Sequence, residues 1–291
     1  MTTRVAVVTD STADIPPALA ERFDVHVVPL TLRLGSQTYE DRVSITPAQF
    51  MAEVSHADAL PSTEQPSVAR FHQLYLELGR THDAIVSIHL SSRLSGTYQS
   101  ARLARDQIDG RLAVAVLDSR SASMALGFPV LRAAALARSG AAFEEIVRAA
   151  ELAIEQSHLV FLVDTLEYLR RGGRIGRAAE IVGSALQLKP ILRIENGVVV
   201  PYARTRTRPR ALATLATLVG EFPQVGNLAI MAGPGARDVR RLADALSRVC
   251  PPDRTIFTDL SPVLASHVGP GGLGVAVNEG PPLELGEMED S

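Results

Sequence analysis

Arg4-Val5-Ala6-Val7-Val8-Thr9-Asp10-Ser11-Thr12 is a β-branched apolar run that empties into a polar turn. A run without polar alternation, stopped by a turn, is the pattern of a strand buried on both faces. Asp83–His89, ahead of the small-residue loop Leu90–Thr97, reads the same way, and Ala113–Asp118 reads as a further strand. His26–Leu34 reads as a second strand. Helices are expected over Ile15–Arg22, opened by Pro16 and Pro17, from Thr46-Pro47 to about Ser55, and over Val68–Arg80, Tyr98–Gln107 and Ala122–Ser139. Strands alternating with helices predict an α/β N-terminal domain of three layers, a parallel sheet covered on both faces. Ligands of such sheets collect at the carboxyl ends of the strands. The polar loops at 10–12, 61–67 and 91–97 are therefore expected to meet there.

The pattern changes near residue 155. Leu159–Val163 reads as a strand, Gly172-Gly173-Arg174 as a turn, and a helix is expected from there to about Leu186. Lys189–Ile194, Glu195-Asn196-Gly197 and Val198–Arg204 spell a β-hairpin, because Asn-Gly between apolar runs favours a type I′ turn. A helix from Pro209 to about Glu221 follows, then strand Asn227–Met231, helix Ala236–Val249 and strand Thr255–Asp259. A short helix at Ser261–Ser266 and strand Gly274–Val277 complete the series. A hairpin within helix-and-strand alternation predicts a C-terminal α/β domain with a mixed sheet. The expected division is 1–155 and 156–291, with a frayed acidic tail from Glu284 to Ser291.

Composition narrows the function classes. Of 291 residues, 46% are apolar but only 4% aromatic, and Trp is absent, so any pocket is aliphatic and suits an alkyl chain better than a base. The net charge of −3 gives no global attraction to nucleic acid or to an anionic membrane. The single cysteine, Cys250, supports neither an internal disulfide nor a thiolate metal site, and a cytoplasmic address is expected. The opening MTTRVAVVTD carries no apolar leader, and no segment reaches the roughly 18 unbroken apolar residues of a membrane helix.

Three segments carry candidate chemistry. In Pro61-Ser62-Thr63-Glu64-Gln65-Pro66-Ser67 two prolines bracket polar side chains; Ser67 reads as a helix cap, whereas the hydroxyl of Thr63, further from the helix, suits either donation to a carboxylate or stabilising the turn. Ser91-Ser92-Arg93-Leu94-Ser95-Gly96-Thr97 places small residues at a strand-to-helix turn, an anion site by geometry. It lacks the ending of a Walker A loop and is no nucleophile elbow. Ser266-His267-Val268-Gly269-Pro270-Gly271-Gly272 sets a histidine before a glycine-rich segment. A serine hydrolase acting on a lipid ester through Ser95 and His267, with Asp10 or Asp118, is the alternative reading, and it requires direct contacts among the three. A dinucleotide-binding protein is disfavoured, because no G-x-G-x-x-G follows the first strand. Arg170, Arg171, Arg174 and Arg177 surround the Gly-Gly turn, and Arg204, Arg206, Arg208 and Arg210 alternate. Both groups suit a solvated surface or the docking of an acidic partner.

Six segments together spell a family pattern: VTDSTADI from Val8, PSTEQPS from Pro61, LSSRLSGTYQSA from Leu90, YLRRGGRI from Tyr168, LKPIL from Leu188 and SHVGPG from Ser266. In this order the chain resembles the DegV family, the fatty-acid-binding (FakB-type) proteins of the bacterial fatty acid kinase system. The resemblance implies a DegV-like fold of two α/β domains, with a long-chain fatty acid such as palmitate in a tunnel between them and no cofactor. It implies a carboxylate held by Thr63, by Ser95 or secondarily Ser92, by Gly96 and near His267. It implies a carrier without catalytic groups of its own, serving a separate ATP-binding kinase subunit that makes the acyl phosphate. Arg171, Arg174 and Arg204 correspond to the residues docking that subunit. Glu64 stands where a small polar residue is expected, and a carboxylate there would repel the ligand unless it points away.

Overall fold

The computed structural model describes residues 3–56, 61–108, 110, 112–181 and 188–285. The expected helix end near Leu186 and the acidic tail beyond Leu285 lie outside the described residues. The first half contains β1 (Val5–Asp10), α1 (Pro17–Arg22), β2 (Val25–Val28), β3 (Thr31–Leu34), β4 (Gln37–Glu40), α2 (Pro47–His56), β5 (Ser62–Glu64), α3 (Val68–Leu78), β6 (Ala84–His89), α4 (Thr97–Arg105), β7 (Ala113–Asp118), α5 (Met124–Arg138) and α6 (Phe143–Glu155). The second contains β8 (Ser157–Leu162), α7 (Glu167–Arg171), β9 (Lys189–Glu195), β10 (Val198–Thr205), α8 (Arg208–Gly220), β11 (Asn227–Ala232), α9 (Val239–Leu246), β12 (Thr255–Asp259), α10 (Pro262–Val268) and β13 (Leu273–Asn278).

The opening strand lies inside a parallel sheet of order β2-β1-β6-β7. Its side chains alternate between two cores: Val5 and Val7 face α5, whereas Ala6 and Val8 face α3 and α4. The second sheet, of order β10-β9-β8-β13-β11-β12, is mixed, and only β11 and β12 run parallel. α5 is apolar nearly all round because it is buried between the sheets, touching β1 and β6 on one side and β8 and β13 on the other. One core thus joins residues on both sides of position 155.

Two expectations change, and one helix is added. His26–Leu34 is two strands in different sheets, because Pro29 supplies no N–H to continue a ladder. Pro61–Ser67 is not all loop: Ser62–Glu64 pairs with β3, and with β4 they form a small antiparallel sheet. α6 follows the long helix as a separate element, divided from it by Gly140 at φ +78°. The Asn196-Gly197 turn is formed as expected, with both residues at positive φ.

Ser67 caps α3, accepting from Arg70 N at 3.2 Å. Ser67→Ala is expected to cost about 1 kcal/mol in a urea titration, without changing the slope of the transition.

Candidate functional site

Pairing of β5 with β3 sets Thr63 opposite Leu32 and fixes where its hydroxyl lies. Successive strand residues face opposite ways. The Glu64 carboxylate accordingly pairs with Arg33 at the surface, at 3.0 Å, so its charge is engaged away from Thr63. The Thr63 hydroxyl lies 3.0 Å from Nε2 of His267 on α10.

The loop carrying Ser95 is held from several sides. Asp10 Oδ2 accepts from Leu90 N, and Asp10 Oδ1 accepts from Thr12 N, tying the 10–12 turn to the end of β6. Ser91 Oγ donates to Gly197 O at 2.8 Å, bringing the β9–β10 hairpin tip onto the loop. A Cβ on Gly197 would fall 2.5 Å from Ser91 Oγ, and its φ is +83°, so this position requires glycine on both counts. Ser95 Oγ accepts from Thr97 N at 3.3 Å and lies 3.0 Å from Thr97 Oγ1, at the start of α4. The side chain of Gln65 lies against Gly96, where a Cβ would come within 2.9 Å of its Nε2. The three polar loops therefore gather at one edge.

Beneath them runs a slot whose empty space, the open solvent at its mouth included, is about 880 Å³. Leu90, Leu94, Leu159, Phe161, Leu169 and Met231 are among its apolar walls, which come from the mixed sheet and from the loops and helices around it. Of the expected ligand-holding residues, Thr63, Ser95 and His267 line it. Ser92 is exposed and outside its lining, with its N–H donated to Asp118. Gly96 lies behind Ser95 against Gln65 and is outside the lining.

Arg174, expected on a partner-facing surface, instead lines the slot. Its Nε donates to Leu94 O at 3.0 Å and its Nη1 to Gly172 O at 2.5 Å, so the side chain is tied down rather than free. Arg171 is exposed and pairs with Glu167, and Arg204 is exposed on β10. Arg208, read only as one of an alternating series, is a clamp: it pairs with Asp164 and Asp238 and donates to Gly271 O in the glycine-rich loop.

Burial, with the nearby Arg174 charge adding to it, pushes the His267 imidazole down to about 4, so the ring is neutral at pH 7. Its Nδ1 is buried without a hydrogen-bond partner. A bare acceptor nitrogen suits that position better than an orphaned N–H. We therefore assign the proton to Nε2, which donates to Thr63 Oγ1 and leaves the threonine proton to be given onward. A Cβ on Gly172 would lie 2.3 Å from Nδ1; glycine there makes room for the ring.

The hydrolase constellation does not assemble. His267 is bonded to Thr63, and its Nδ1 meets no acid. Asp10 is taken by His89, whose other nitrogen lies 2.7 Å from Ser87 Oγ. That Ser-His-Asp series is fully buried, and Tyr75 donates to its serine. It lies outside the slot lining and serves to tie strand ends together.

A second set of buried charges joins the halves. Asp14 accepts from Ser261 N, Ser123 Oγ and Arg42, and Arg42 also donates to Asp259 O. Asp41 accepts from Val263 N, and burial pushes its carboxyl up to about 6. These contacts hold the start of α10, the helix that carries His267.

The fold has close counterparts. Residues 4–279 match the family model described as an uncharacterised protein of the DegV family. This chain belongs to the DegV family. Protein DegV of Bacillus subtilis is 35% identical over 275 residues, covering 93% of this chain and 98% of that relative. Among solved structures, the DegV family protein from Thermus thermophilus, described by its fatty acid binding, superposes with a TM-score of 0.86 at 34% identity, over 95% of this chain and 99% of that one. DegV from Bacillus subtilis, described as a fatty acid binding protein, gives 0.86 at 34%, over 96% and 100%. The α/β architecture with one parallel and one mixed sheet is thus the DegV arrangement. No helix of this DegV chain, among the described residues, is long and apolar enough to cross a membrane.

Proposed function

We propose that this protein binds one long-chain fatty acid, such as palmitate, in the slot and presents its carboxylate to a separate ATP-dependent kinase subunit. The observation that carries the reading is an aliphatic slot whose polar lining includes Thr63, Ser95, Arg174 and His267, beside Glu64, Gln65 and Ser123. Each methylene withdrawn from water contributes about 0.8 kcal/mol, so the walls supply affinity while the hydroxyls supply orientation. Thr63 and Ser95 donate to the carboxylate, and Arg174 adds a positive charge nearby. Residues 1–155 and 156–291 act as two domains closing on the chain from either side. The fatty acid binding of the Thermus and Bacillus relatives supports this reading.

In the kinase reaction a carboxylate oxygen attacks the γ-phosphorus of ATP held by the partner, and the bond to ADP breaks. Acyl phosphate and ADP form with no proton to remove, so the carrier needs no base. Exposed Arg171 and Arg204 offer the partner a positive surface. The test is palmitate-loaded protein mixed with ATP and the ATP-binding subunit of a bacterial fatty acid kinase, with hydroxylamine trapping of the acyl phosphate. Hydroxamate is expected, and Arg171→Glu with Arg204→Glu should slow its formation roughly tenfold at limiting kinase while leaving palmitate binding unchanged. Absence of hydroxamate from loaded protein would remove the kinase role and leave a carrier alone.

A further inference from the structure

Gly274 sits in the middle of a buried six-stranded sheet, directly opposite Met231 on β11 and Phe161 on β8. All three line the slot. Glycine is a poor strand residue, and inside a strand it commonly marks a bend, a bulge or the close approach of something else. The backbone does not demand it, because Gly274 is outside the left-handed region and its ladder is regular on both sides. The surrounding protein does not demand it either. A Cβ here would meet Met231 Cε at 3.0 Å, Phe161 Cβ at 3.5 Å and Leu159 Cδ1 at 3.7 Å. The tightest of these is the free end of an unbranched, flexible side chain, which yields readily. What remains to explain the missing side chain is the space in the slot itself.

We infer that the alkyl chain lies against the bare backbone of Gly274, with Met231 as a movable side wall, and that this pair determines which acyl chains are accepted. The inference rests on the fatty-acid reading and adds a specificity residue to it. A branched side chain at 274 would occupy the path of the ligand. Chains too short to reach it would be unaffected, and longer chains would lose the contacts made at and beyond that level. Removing the Met231 side chain would return part of the space.

The test is a series of dissociation constants for saturated acids from decanoate to stearate, with delipidated wild type, Gly274→Val and Gly274→Val with Met231→Ala. Thermal melts confirm folding, and Gly274→Ala replaces the valine variant if the latter does not fold. For wild type each added methylene should tighten binding about fourfold. Gly274→Val should follow that line for short chains and then break from it, falling at least tenfold behind by stearate; the added Met231→Ala should recover part of the loss. A Gly274→Val line that coincides with wild type, or runs parallel at a constant offset, overturns the inference. Wild type that binds none of the acids overturns the fatty-acid reading on which it stands.

Discussion

Asp14→Ala lowers the unfolding free energy by about 3 kcal/mol, the cost expected when one partner of a buried ion pair is removed. The Asp14 carboxylate is fully buried, and three donors converge on it: Arg42 at 3.1 Å, Ser261 N at 2.9 Å and Ser123 Oγ at 2.5 Å. Alanine leaves the Arg42 charge, itself only 20% exposed, without its carboxylate partner. It also leaves two other donors short of an acceptor. Asp14 further sits at φ +53°, a conformation that Asp and Asn tolerate better than Ala. Burial raises the Asp14 carboxyl above its ordinary value, so part of what the pair contributes is already offset by desolvation. Asp14→Asn keeps the shape, one acceptor and the backbone tolerance, and should lose roughly half as much. Urea titrations of the three proteins check the order. A loss below about 1 kcal/mol for Asp14→Ala would mean that the junction does not hold α10.

Thr63→Ala and Ser95→Ala each weaken palmitate binding about tenfold or more, and together about a hundredfold. Hydrogen bonds to a charged group contribute roughly 1.5–3 kcal/mol, and about 1.4 kcal/mol is a factor of ten. Palmitate methyl ester, which carries no charge, should bind wild type and variants almost alike. Ser92→Ala supplies the contrast, because that side chain is exposed and outside the slot. Calorimetric titration of delipidated proteins reads all of these values. Equal losses for acid and ester would place the defect in the walls rather than in the carboxylate contacts.

Much of this arrangement was legible in the chain because its strongest signals are local. Val5–Asp10 and Ala84–His89 are runs buried at every position that only a covered sheet accommodates, and Asn196-Gly197 allows few turns. Thr63, Ser95 and His267, which line the slot, stand in short polar segments that the chain displays, and their ligand roles come from the resemblance to the DegV family. Their assembly depends on pairings distant in sequence. Thr63 is placed by β5 on β3, a sheet hidden by reading through Pro29. Arg174 resembles its exposed neighbour Arg171 in sequence, and only the carbonyls of Leu94 and Gly172 turn it inward. The Asp14, Arg42 and Asp41 junction joins residues more than two hundred positions from Ser261 and Val263, beyond the reach of any local pattern.

The most direct measurement is mass spectrometry of the purified protein, denatured to release its contents, followed by titration of the emptied protein with palmitate. The account predicts released fatty acid of sixteen or so carbons and a saturable stoichiometry of one per chain. Protein that releases no acyl chain and takes up no palmitate would contradict it.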